Sequence, residues 1–131
     1  MKLATFLQIK MVVSLGFGLL LLVAPAMLSL VLFGATPDPL GLMFARFVGA
    51  QLMGIALLCW LTSQTPTGRA VPEITLALFV ADTVGFVVAL GVQLEPLAYP
   101  MGWVSVATWF LMALGLGYFR FRSPNVAAAA T

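Results

Sequence analysis

Histidine is absent from the 131 residues, cysteine occurs once, at Cys59, and charged residues make up only 8% of the chain. Each shortage excludes something. Without histidine there is no imidazole acid–base pair, no histidine-ligated haem and none of the usual zinc sites. A single cysteine rules out an intramolecular disulfide. The low charge is the strongest constraint, because a soluble domain carries roughly a quarter charged residues. Six Lys and Arg stand against four Asp and Glu, with no basic cluster of the kind that engages nucleic acid. No glycine-rich phosphate loop, nucleophile elbow or metal motif occurs, and nothing calls for a cofactor.

What the chain has instead is apolar residues, 63% of the total. They fall into four runs. Residues 11–33 and 101–119 carry no charge; 40–61 is interrupted by Arg46 and Gln51, and 74–94 by Asp82 and Gln93. Each run is close to the roughly 20 residues a helix needs to cross the hydrocarbon core of a bilayer. None alternates with the period of two expected of a membrane barrel strand. Breakers separate the runs: Gly34, Pro37 and Pro39, then Pro66, Gly68 and Pro72, then Pro96 and Pro100. Pro72 followed by Glu73 is a good helix start. Pro25 inside the first run predicts a kink.

These features predict an all-α protein, an integral membrane four-helix bundle that is multi-pass in the cell membrane. Residues 1–10 are expected as a cytoplasmic segment, 11–122 as a single transmembrane domain and 123–131 as a flexible tail. Ala24-Pro25-Ala26 resembles a signal-peptide cleavage site, but apolarity continues to Phe33, so a retained span is the expectation. With four crossings, Lys2, Lys10, Arg69, Arg120 and Arg122 share one side and the opposite loops hold only Asp38 and Glu95. The positive-inside rule then makes both termini cytoplasmic.

Four polar residues in or beside the runs are candidates for a site: Arg46, Gln51, Asp82 and Glu95. Asp82 lies near the middle of its run, where a carboxylate costs about 3 kcal/mol on insertion scales. Gln51 is expected at a similar depth, and Arg46 nearer the outer surface with a side chain long enough to reach down. One reading is an ion pair that fixes helix register. The other is a polar site for a proton, a lipid headgroup or a small ligand. Small residues recur every four positions at Ala77, Ala81, Gly85 and Ala89, with shorter versions at Ala45 and Gly49, Ala50 and Gly54, Ala113 and Gly117, and Ser14 and Gly18. Such spacing lets helices approach closely in lipid, here within one bundle rather than between copies. Cys59 reads as an inert buried thiol more than a palmitoylation site. Trp109 reads as a packing residue.

The segment Ala45-Arg46-Phe47-Val48-Gly49-Ala50-Gln51-Leu52-Met53-Gly54 opens a glycine-spaced second helix with an arginine after a short Pro/Asp turn. In this it looks like the small bacterial membrane proteins broadly called DoxX-like. The resemblance implies a four-helix bundle and supplies no catalytic residue. The expected role is therefore a non-enzymatic accessory or assembly component. Alternatives are a small transporter or lipid-handling protein built around Asp82, Gln51 and Arg46, and a membrane enzyme acting on an isoprenoid or lipid with Asp82 or Glu95 as acid. The expected partners are the lipid bilayer and either a second copy or another membrane protein, with no nucleic acid.

Charge asymmetry makes topology testable. Reporters fused after Thr131 and within 62–72 should read as cytoplasmic, and one within 95–100 as external. A cytoplasmic signal from the last position overturns the four-span expectation.

Overall fold

The computed structural model describes residues 2–95 and 99–122. Among them the chain is all-α, with five helices: α1 (Leu3–Val23), α2 (Pro25–Phe33), α3 (Pro39–Gln64), α4 (Val71–Gln93) and α5 (Trp103–Arg122). A single 3₁₀ turn, Pro100–Gly102, leads into α5. Four of these segments are long and apolar enough to cross a membrane, Leu3–Val23, Pro39–Gln64, Val71–Gln93 and Pro100–Arg122. Even in the most buried of them, only 28% of the apolar window lies inside the protein. Large apolar side chains such as Phe47, Leu58, Val84, Val88 and Leu114 stand exposed.

The chain divides into two compact units, one of Met1–Gln64 with Tyr99–Met101 and one of Thr65–Ala98 with Gly102–Thr131. Each is described on its own terms below. The expected tail, 123–131, lies outside the described residues.

The first unit begins earlier than expected. α1 starts at Leu3, so residues 3–10 are the first turns of a helix and not a separate segment. Lys10 does not end the apolar face; it is buried within it, 3% exposed. The first long helix therefore covers Leu3–Val23 in place of 11–33. Pro25 explains where it stops. Proline has no N–H to give and drives the preceding residue out of the helical region. Ala24 takes φ −136° and ψ 54°, and Pro25 opens the nine-residue α2. The break is minimal, because the Ala24 N–H still donates to the Leu20 carbonyl at 2.8 Å and the Leu28 N–H to that of Ala24 at 3.1 Å.

α2 ends at Gly34, which adopts φ +71° and donates its N–H to the Leu30 carbonyl. Glycine is required there twice over. The backbone is left-handed, and a Cβ would stand 2.7 Å from the Tyr99 ring. Asp38 then caps α3, its Oδ1 accepting the Gly41 N–H at 2.7 Å, with Pro39 at the first helical position.

α1 and α3 pack through their backbones. A Cβ on Gly18 would lie 3.1 Å from the Gly49 carbonyl oxygen, and one on Gly49 only 2.9 Å from that of Gly18 and 3.0 Å from the Leu21 Cβ. The pair runs antiparallel, so toward the other end Phe6, Leu7, Lys10 and Ser14 line the buried face of α1, and Ala56, Cys59, Thr62 and Ser63 that of α3.

The second unit packs differently. α4 and α5 are also antiparallel, but here rings enter glycine notches. The Trp109 indole fills the space beside Gly85, where a Cβ would come within 2.5 Å, and the Phe79 ring fills that beside Gly117, within 2.9 Å. Phe86 lies against Phe110 and Phe79 against Phe121, with centroids 5.3 and 5.5 Å apart.

Gly49 and Gly54 belong to one helix, but the space beside Gly54 is open. Gly49→Leu should lower thermal stability in detergent by about 1–3 kcal/mol, the range for overpacked sites, and Gly54→Leu should be nearly neutral. Equal tolerance in a melting experiment would mean that α1 and α3 do not meet at Gly18 and Gly49.

Candidate functional site

Asp82 is the residue that most needs explanation. It lies eleven residues from each end of α4, on the face that also buries Val71, Thr75, Leu78 and Gln93. It is 2% exposed. The facing helix buries Val106, Ala113 and Leu116. The two ring-in-notch contacts bracket Asp82, with Phe79 and Gly117 on one side and Gly85 and Trp109 on the other. The neighbouring hydroxyls are committed to their own helix: Thr75 donates to the Val71 carbonyl at 2.7 Å and Thr83 to that of Phe79 at 2.8 Å. Asp82 is not left without a partner, as a buried charge requires.

Lys10 is the corresponding buried charge of the first unit, and it too has a partner. By chain position alone it lies at the flank of the first apolar run. A signal was available: Lys10, Ser14 and Gly18 follow one another at four-residue steps, which continues the small-residue face of α1 by one turn.

Arg46 and Gln51 are exposed on α3, which belongs to the first unit, and Asp82 belongs to the second. Gln51 is the thirteenth residue of this 26-residue helix, at its middle. Glu95 is exposed just beyond the end of α4. Of the packing residues, Gly49 meets Gly18 and Gly85 meets Trp109, but Gly54 meets nothing. Ala77 and Ala81 are exposed, whereas Gly85 and Ala89 are half-buried. The buried row of α4 passes instead through Val71, Thr75, Leu78 and Asp82.

One end of the second unit is basic. Arg69 is exposed in the turn before α4, and Arg120 and Arg122 occupy the last turn of α5, where the helix dipole favours cations. The Arg120 guanidinium lies 5.8 Å from the Phe121 ring centroid and that of Arg122 5.7 Å from Tyr118. The Arg120 Nε is buried and has no hydrogen-bond partner among the described residues. Cys59 is fully buried, out of reach of acylation. Among the described residues, no group of three His, Cys, Asp or Glu side chains is placed to hold a metal.

A family model described as "Domain of unknown function (DUF8292)" matches residues 8–125, and the chain belongs to that family. No curated protein and no solved structure gives a significant match.

Asp82 should respond to substitution by how much hydrogen bonding survives. Asp82→Ala strands its partner and should cost about 1–3 kcal/mol, the penalty for a buried polar group left unpaired. Asp82→Asn should cost clearly less in the same detergent melts. An alanine variant as stable as wild type would show that the carboxylate bears no structural role.

Proposed function

We propose that this chain is an integral membrane protein of the cell membrane that crosses the bilayer four times with both termini cytoplasmic, and that it acts as a non-enzymatic accessory or assembly component. The membrane setting is supported by the four long apolar helices and by the apolar side chains they expose. A continuous surface of that kind is not stable in water. The orientation is supported by the arginines Arg69, Arg120 and Arg122 and by Lys2, which all fall at helix ends that chain order puts on one side. Asp38 and Glu95 fall at the other ends.

The observation that carries the accessory role is the exposure of Gln51 at the middle of α3, with Arg46 exposed on the same helix. A carboxamide facing hydrocarbon with no partner costs several kcal/mol in the most apolar limit. Polar side chains in spanning helices instead bond across to another helix. An outward-facing Gln51 therefore marks the side by which the chain docks a second membrane protein or a second copy of itself.

A different observation, the burial of Asp82 mid-helix, favours a second reading in which the chain handles a proton, lipid or small polar ligand. Under that reading Asp82→Asn preserves the fold and abolishes the cellular phenotype.

Photo-cross-linking in native membranes tests the accessory role. A photoreactive residue at position 51 should give a protein adduct of defined mass, larger than the 13.9 kDa chain. One at position 84, on the exposed side of α4, should label lipid. Lipid labelling at both positions would remove the basis for the accessory role.

A further inference from the structure

We propose that the basic end of the second unit is a binding site for the phosphate of an anionic phospholipid headgroup, an inference that rests on the membrane reading above. Arg120 and Arg122 close α5, and Arg69 stands in the turn before α4. The Phe79–Phe121 contact, with centroids 5.5 Å apart, fixes the last turn of α5 beside the N-terminal half of α4. One carboxylate lies near, Glu73 in the first turn of α4, which is exposed and suited to its own helix dipole. Residues 123–131 contain no acidic side chain.

The observation that asks for a ligand is Arg120. Its Nε is buried, yet no described residue accepts its hydrogen. Buried donors in folded proteins are nearly always satisfied, so an acceptor is expected there. A guanidinium presents Nε–H and an Nη–H as a planar fork that matches two oxygens of one phosphate. The Phe121 and Tyr118 rings beside the two guanidiniums hold them at a helix end, the level at which aromatic residues and headgroups meet in a bilayer. Zwitterionic lipids carry an ammonium next to the phosphate, which opposes an arginine cluster. Anionic lipids carry none, and each arginine near their surface adds to the attraction.

Native mass spectrometry of the detergent-purified protein, titrated with phosphatidylglycerol or phosphatidylcholine, tests this. The anionic lipid should bind at about tenfold lower concentration. Arg120→Gln with Arg122→Gln should abolish that preference, while Lys2→Gln should leave it intact. Arg120→Lys, which keeps the charge and removes the fork, should lose part of it. Millimolar inorganic phosphate should not displace the lipid. Equal binding of both lipids by the wild-type chain overturns the site and needs no variant to fold. A preference that survives the double substitution, or displacement by free phosphate, overturns it as well. Recovery of the chain in the soluble fraction without detergent would instead overturn the membrane reading. A chain that inserts into vesicles but shows no lipid preference loses only the site.

Discussion

The contact of two glycine backbones, Gly18 on α1 and Gly49 on α3, is what the first unit depends on. Neither position has room for a methyl group without a shift of backbone. On the proposed membrane reading, close approach matters more here than in a water-soluble core. Two helices with apolar residues on nearly every side gain little by turning away from an equally apolar surrounding, so association rests on van der Waals contact at short range. The second unit reaches the same end by another route. Gly85 and Gly117 make notches, and the rings of Trp109 and Phe79 fill them. The two notches lie on opposite helices, so each helix offers one cavity and one ring to the other. That reciprocity fixes the register of α4 against α5 on both sides of Asp82.

Five hydroxyl side chains within the helices are satisfied locally. Thr62 donates to the Leu58 carbonyl, Ser63 to Trp60, Thr75 to Val71, Thr83 to Phe79 and Thr108 to Val104, all between 2.7 and 2.8 Å. A hydroxyl bonded to its own helix adds no polar demand on a neighbour. Other polar side chains lie well inside the long helices, among them Lys10 and Asp82, which are buried, and Arg46 and Gln51, which are exposed. They are the positions at which sequence and fold are in tension, and such positions are where function is most often found.

The long helices were legible because apolar runs of about 20 residues have few other solutions. Pro25 was legible as an interruption, since its ring and missing N–H act whatever the context. The packing face of α4 was not. Ala77, Ala81, Gly85 and Ala89 step by four residues, and each step overshoots a helical turn by about 40°, so the row spirals off any single face. Ala77 and Ala81 are therefore exposed while Gly85 meets a ring. The buried residues Val71, Thr75, Leu78 and Asp82 alternate steps of four and three, which holds a straight seam. The burial of Lys10 was hidden for a different reason. A lysine before an apolar run reads as a flank, and only the position of α3 against α1 shows that the run began eight residues earlier. The exposure of Arg46 and Gln51 was equally out of reach, because depth along a helix can be counted from a sequence whereas direction around it depends on what packs against it.

Chemistry at Asp82 is constrained by its own unit. A reaction needs a reacting group and a second acid, base or electrophile converging on one point. The buried faces of α4 and α5 supply Val71, Thr75, Leu78, Gln93, Val106, Ala113 and Leu116, and among the described residues of that seam there is no second carboxylate and no thiol. The Thr75 hydroxyl is already engaged with the Val71 carbonyl. A carboxylate in such a setting can hold a partner or carry a proton. The demand for a further contact is instead greatest where polarity faces outward, at Gln51 on α3, and at the basic end of α5, where Arg120 keeps a buried donor without an acceptor among the described residues. The proposed binding role draws on both features.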